Sequence, residues 1–405
     1  MFGAIIIIIF LYGITQPILS SLKEKNNSVN INLLNNLFWY HYVFWLIYYL
    51  YALFNPSDSK GYFQRSSTKY NDWFGIYETG TKFIDFVAYP LTSKLGFTYE
   101  MMMALFAWFG YLGFIYFYLF FKENLKFSHN FQGYNLITLL LFLPNMHFWT
   151  ASLGKGSLIF LGIGMSAYGL SRIASRKIAL ILGLAIVYHV RPHLFLFIGL
   201  GIIFGLFSGR AKIPAYQKVL VFAGAFAAIF MLYNQILAFA MLDSDNVVES
   251  FESFSTQRGS ELAKSGSGVN TASMPLPLKL LTFWFRPLFV DAPGALGLFV
   301  SVENLFYVIL ALKLFSKSFI KFIINGSTLI KASLVIFITS SIALSMVMGN
   351  LGIIIRQKSM VMYFFFFIIL AFMDHKKMIA YQRKSGLLKK KPVIDTQQPV
   401  KIATA

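Results

Sequence analysis

"IALILGLAIVYHVRPHLFLFIGLGIIFGLFS", residues 178–208, is apolar on every face of any helix it forms, except at its centre, where Arg191 stands between His189 and His193. A helix that is hydrophobic all round belongs in a large core or in lipid. Pro192 lacks a backbone N–H, so it either kinks one helix or begins another. We read two short helices, 178–190 and 192–208, joined by a tight turn at a membrane face. Arg191 then sits at that face, and an ionisable residue flanked by membrane-like sequence is a functional candidate.

The rest of the chain agrees with that reading. Of its 405 residues 57% are hydrophobic and only 13% are charged, about half the charged share of a soluble domain. Apolar runs of roughly 20 residues recur, which suits helices that cross a bilayer rather than barrel strands. The spacing predicts spans at 2–20, 37–54, 100–121, 134–152, 157–171, 178–190, 192–208, 219–241, 294–315, 332–349 and 358–373. The expected fold is an all-α polytopic membrane protein of about eleven transmembrane helices. "LKLLTFWFRPLFVD", 278–291, is too short to span and reads as a re-entrant or interfacial helix. The opening "MFGAIIIIIFLYG" has neither a charged n-region nor a small-residue cleavage site, and is read as a retained first helix. Residues 1–373 are expected to form a single transmembrane domain and 374–405 a basic, disordered cytoplasmic tail that also touches anionic lipid.

Charge sets the orientation. With the amino end outside, the loops 21–36, 122–133, 172–177, 209–218 and 313–331 and the tail hold 22 Lys/Arg and four acids, Glu24, Glu123, Asp374 and Asp395. The other face holds 13 Lys/Arg and 11 acids, with Glu303 inside a predicted span. The basic set is therefore expected in the cytoplasm. The same rule accounts for the net charge of +19 without a nucleic-acid partner. The absence of cysteine excludes disulfides, thiolate catalysis and Cys-based metal sites.

Two outer loops are long. In 55–99, Trp73, Phe74, Ile76, Tyr77, Phe83, Ile84 and Phe86 leave an apolar stripe that predicts one or two amphipathic helices on the outer membrane face. Residues 242–277 are polar and Ser/Gly-rich and read as a mobile loop or lid. Four cationic clusters fall at outer turns: His147 with Lys155, His189 with Arg191 and His193, Arg286 with Asp291, and Arg356 with Lys358. The chain has nine Arg against 26 Lys, yet three Arg stand at these turns. Planar, always-charged donors in such places suit phosphate or pyrophosphate. The plain alternative is an anchor that snorkels to the headgroups. Lys155 lies between glycines in "LGKG", but the full nucleotide-binding loop pattern is missing and the side is wrong for ATP. Asp72 and Asp85 are 13 apart and form no paired Asp-x-Asp metal motif. Glu303 is expected to be a buried partner of an arginine, with Arg286 and Arg356 as the candidates.

"PNMHFWTASLGKGSLIFLGIGMSAYGL", "RPH", "FRPLFVDAPGALGLFVSVENL" and "GNLGIIIRQKSMVMYFFFF" resemble successive motifs of bacterial polysaccharide repeat-unit polymerases, the Wzy-type and EpsG-like membrane proteins of O-antigen, capsule and exopolysaccharide synthesis. The resemblance runs from about residue 70 to 373, most of the chain. In such proteins an acid is expected soon after the proline of "FRP"; here Asp291 follows Pro287 by four, slightly displaced. The resemblance implies a bundle similar to the multi-span GT-C class and to O-antigen ligases. It implies polymerisation of undecaprenyl-pyrophosphate-linked glycan units at the periplasmic face of the inner membrane. It also implies no metal or other cofactor, and partners among other polysaccharide-export proteins. The residue chemistry fits: Arg191, Arg286 and Arg356, with Lys155, would stabilise the departing pyrophosphate, and His193, His147 or Asp72 would take the acceptor proton. Another lipid-linked-sugar glycosyltransferase, an O-antigen ligase, and a lipid-linked glycan flippase or transporter stay open as alternatives.

Overall fold

The computed structural model describes residues 1–209, 274–292, 294–347, 351–358 and 360–385, with isolated positions 216, 219 and 223. The chain is an all-α membrane protein. Among the described residues four helices are long and apolar enough to cross a bilayer: α1 (Phe2–Lys25), α2 (Ile31–Phe54), α5 (Tyr99–Asn124) and α14 (Thr328–Val347). Two bent pairs would bring the number to six if each is one broken span rather than a re-entrant loop. One joins α12 (Gly294–Leu312) to α13 (Lys317–Ile324) at 83°, the other α15 (Leu351–Lys358) to α16 (Met362–Lys384) at 56°. The expected span 219–241, most of the loop 242–277, and the tail beyond 385 lie outside the described residues.

The loop 55–99 contains two short helices, α3 (Asp58–Gln64) and α4 (Thr81–Tyr89), each followed by a π-helical turn; of the expected apolar stripe only Phe83, Ile84 and Phe86 lie on one of them, and Phe74–Ile76 forms a 3₁₀ turn. They pack onto the bundle's end, α3 against α5 and α4 against the later helix Lys177–Val190. Ile84 and Ala88 of α4 are fully buried, whereas Phe74 and Tyr77 remain exposed. After a two-stranded hairpin, with Asn130–Phe131 antiparallel to Tyr134–Asn135, the expected span 134–152 is broken. It forms α6 (Leu136–Leu141) and α7 (Pro144–Thr150), because Pro144 cannot continue the preceding helix and instead starts the next.

The following helices are α8 (Lys155–Ser171), α9 (Lys177–Val190) and α10 (Pro192–Ser208). Pro192 begins α10, so the turn at Arg191 forms where the sequence places it. The 14-residue α9 reaches about 21 Å at 1.5 Å per residue, short of a hydrocarbon core of roughly 30 Å. The expected interfacial element is α11 (Leu276–Phe285), followed by a 3₁₀ turn at Phe289–Asp291. Its Trp284 stacks on Phe337 of α14 at 5.2 Å and donates to Ser341 Oγ at 2.9 Å.

α5 is deeply buried, and α8, more buried still, lies along it with α9 on α8's far side. Small residues permit the approach: Gly162 of α8 and Gly183 of α9 face each other's carbonyl oxygens. Lipid-exposed helices associate by such close packing, since lipid tails supply no hydrophobic drive between them. On the other side α10 packs on α14, and α14 on α16. Aromatic contacts join the two groups, with Phe117 4.3 Å from Tyr363 and Phe120 4.6 Å from Phe367.

α16 does not stop at 373. It continues through Lys384, so the first part of the expected disordered tail is helical. Asp374 gives the reason for local order there. Its carboxylate accepts from the backbone N–H of Lys126 at 3.1 Å and of Phe127 at 2.8 Å, with His129 Nε2 at 3.3 Å. Asp374→Ala is expected to destabilise the protein by about 1 kcal/mol, since it removes the acceptor of two part-buried backbone donors. A lowered melting temperature in detergent, read by tryptophan fluorescence, checks this.

Candidate anion site where three helix ends meet

Three of the expected cationic residues converge. Lys155 begins α8, Arg191 is the single residue between α9 and α10, and Arg356 lies on the last turn of α15. Arg191 and Arg356 are within electrostatic reach of each other and of Lys155. Burial and these two neighbours push the Lys155 ammonium down to about 8. Burial, with Arg356, brings Arg191 down to about 10. Arg191 Nε is sealed from solvent and has no hydrogen-bond partner among the described residues. Arg356 Nη1 is 2.8 Å from Asp58 Oδ2, and its guanidinium lies 5.7 Å from the centre of the Trp149 ring.

The loop 55–99 closes one side of this cluster. Tyr62 of α3 is 4% exposed, packs against the Gly154 turn, and lies within reach of Asp58, Arg65, Arg191 and Arg356. Arg65, one turn beyond it, pairs with the fully buried Asp85 through Nε at 2.7 Å and Nη2 at 3.1 Å. Tyr70 donates to the same carboxylate at 2.9 Å. Gly80 adopts φ +82°, a conformation that favours glycine. Its N–H donates to the His189 carbonyl at 2.7 Å, which brings the start of α4 over Lys155. Four cations, Arg65, Lys155, Arg191 and Arg356, thus stand against two carboxylates, Asp58 and Asp85. Sequence reading missed Arg65, Tyr62 and Asp58. The signal was present in "DSKGYFQR", where Tyr62 and Arg65 share a helix face, but the contact itself spans hundreds of residues.

The histidines separate. His193 lies within reach of Arg191 and Lys155. Beside it, His189 Nδ1 is 2.7 Å from the Ala185 carbonyl and Nε2 is 2.6 Å from Tyr77 Oη. The carbonyl can only accept, so Nδ1 carries the proton and the Nε2 lone pair accepts from Tyr77. His147, expected at the outer face as a base, is instead in the core. It is fully buried, stacked 4.0 Å from Phe114, with Nε2 2.7 Å from the Leu141 carbonyl and Nδ1 2.8 Å from His41 Nδ1. The break at Pro144 turns α7 inward and carries His147 with it. Asp72 is exposed, and its carboxylate accepts from Gly75 N at 2.8 Å, so it closes a local turn.

Arg286, expected beside the other arginines, belongs to a second network. It forms an ion pair with Asp291, which also accepts from Leu288 N. Lys358 is fully buried and donates to the Arg286 carbonyl at 2.9 Å and to Asn304 Oδ1 at 2.6 Å. Asn304 in turn donates to the Pro287 carbonyl at 2.7 Å. Glu303 pairs with neither expected arginine. It accepts from Asn145 N at 2.6 Å and from Tyr307 Oη at 2.9 Å. Asn145 is at the start of α7, where backbone donors lack intrahelical acceptors, so Glu303 caps that helix from a distant one. Lys358 and Arg356 are two residues apart on α15, which links the networks. Among the described residues no three His, Asp or Glu side chains converge as a metal site.

The Lys155 shift carries a sign. An anion bound beside it favours the ammonium and draws a proton onto it. Affinity for a phosphate-bearing ligand is therefore expected to fall as pH rises through about 8, by at most about tenfold per unit. Lys155→Arg, which stays charged, is expected to flatten the profile in a binding titration between pH 7 and 10.

No family model, curated protein or solved structure matches this chain.

Proposed function

We propose that this protein is a membrane glycosyltransferase that polymerises undecaprenyl-pyrophosphate-linked oligosaccharide units. Under this reading it sits in a bacterial inner membrane with about eleven spans. The amino end and the cationic cluster face the periplasm, and the basic carboxyl end faces the cytoplasm. The observation that carries it is the convergence of Lys155, Arg191 and Arg356 from three helix ends, with a sealed Arg191 donor that lacks an acceptor among the described residues.

In the reaction the anomeric C–O bond to pyrophosphate breaks, and a sugar hydroxyl of the incoming unit forms the new C–O bond. Negative charge grows on the departing pyrophosphate oxygen. Arg191, Arg356 and Lys155 stabilise it from a partly buried, low-dielectric site. The hydroxyl proton passes to an imidazole. His193 lies within reach of the cations, and the oriented Nε2 of His189 is open to a hydroxyl that displaces Tyr77. His147 and Asp72 have no part in this scheme.

The test is genetic and chemical. In a strain that lacks the gene, the surface polysaccharide is expected to collapse to single exported units, and the wild-type gene restores the ladder. Purified protein with the lipid-linked unit alone should then build chains and release undecaprenyl pyrophosphate. A full ladder without the gene, or no chains from pure protein, overturns the reading. A lipid-linked glycan transporter is favoured by one observation, the burial of two ionisable residues, Glu303 and Lys358, inside the bundle. It requires Glu303→Gln to block export of the units rather than their joining.

A further inference from the structure

We propose that a groove at the opposite end of the bundle, between α5, α8 and α9, holds one anionic phospholipid. The inference does not depend on the reaction assigned to the outer face. The groove encloses about 480 Å³ and is open on one side. Its walls are Tyr116 of α5, Met165 of α8, and Ile178 and Leu182 of α9, and its rim is Arg176 with Lys177. The apolar walls continue onto an exposed strip of α9, where Ile178 is 75%, Ile181 64% and Leu182 50% exposed.

The rim is built to hold positive charge in place. The Arg176 guanidinium lies 3.7 Å from the centre of the Tyr168 ring and donates to Ser171 Oγ at 2.9 Å. It also pairs with Glu123 at 2.5 Å, and Arg172 stands 3.6 Å from the same carboxylate. Arg176 and Lys177 of the rim, with Arg172 next to it on the same Glu123, leave net positive charge at this end of the groove. Charge at one end and a lipid-facing apolar wall at the other match the two ends of an anionic phospholipid. A basic pocket between membrane helices is a recognised seat for such headgroups. A free phosphate would use the rim alone and leave the apolar wall without a role.

The protein is purified in detergent, stripped of lipid, and offered phosphatidylglycerol or phosphatidylcholine in mixed micelles. Bound lipid is counted by native mass spectrometry. One phosphatidylglycerol per chain should be retained, at least tenfold more tightly than phosphatidylcholine. Two variants probe the two ends: Arg172→Glu with Lys177→Glu reverses the exposed rim and leaves Arg176 intact, and Ala179→Trp fills the groove with every charge kept. Both should lose the retained lipid while melting within a few degrees of wild type. Equal retention of the two lipids, or unchanged retention in either folded variant, overturns the proposal. Should the rim variant fail to fold, Ala179→Trp decides alone.

Discussion

Under the proposed function, Arg191→Lys is expected to cut polymer formation by about a hundredfold or more, with normal protein level and with single units still exported. Lysine keeps the charge but not the planar fork of donors. At most turns that exchange would matter little. Here the residue is the whole connection between α9 and α10, its Nε is sealed, and Arg356 stands near enough to lower its proton affinity. A group held under that penalty is poised to gain when a pyrophosphate brings negative charge beside it. Arg356→Lys should cost less, because Asp58 already engages one of its nitrogens. Arg286→Lys should act differently again. It disturbs the Asp291 pair and is expected to lower the amount of folded protein rather than the rate per molecule. An unchanged ladder for Arg191→Lys would make these arginines anchors or counter-charges, and the polymerase mechanism would have to be given up.

Gly110→Ala is expected to destabilise the fold by about 3 kcal/mol, at the upper end for one added methyl group. A Cβ there would lie 2.2 Å from the Thr150 carbonyl oxygen and 3.0 Å from His41 Nε2. The carbonyl belongs to α7's backbone and cannot swing aside as a side chain would. Either α5 or α7 must move, and the buried His41–His147 contact moves with them. The control is Gly13→Ala in α1, where a Cβ meets nothing within 4 Å. That change should be neutral or slightly stabilising, because alanine is the better helix former. Thermal unfolding of the two variants in one detergent gives the comparison. Equal melting temperatures would mean that α5 and α7 do not pack as described.

The sequence by itself determined the class of fold, the apolar middles of the long helices and the turn at Arg191. These depend on local terms. Apolar runs demand lipid or a large core, and proline cannot continue a helix, whatever the remainder of the chain does. It also marked Lys155, Arg191 and Arg356 as one kind of residue at one kind of place. Only the tertiary structure decided which residues meet. Arg356 meets Asp58 across 298 positions, and Glu303 caps α7 across 158. Periodicity carries no information over such separations. His147 and Arg191 look alike in sequence, each a basic residue next to a helix end. The break at Pro144 turns one into the core, and the break at Pro192 leaves the other at the turn between α9 and α10. That difference arises from how the broken helices pack, because a short helix takes its direction from its neighbours rather than from its own residues.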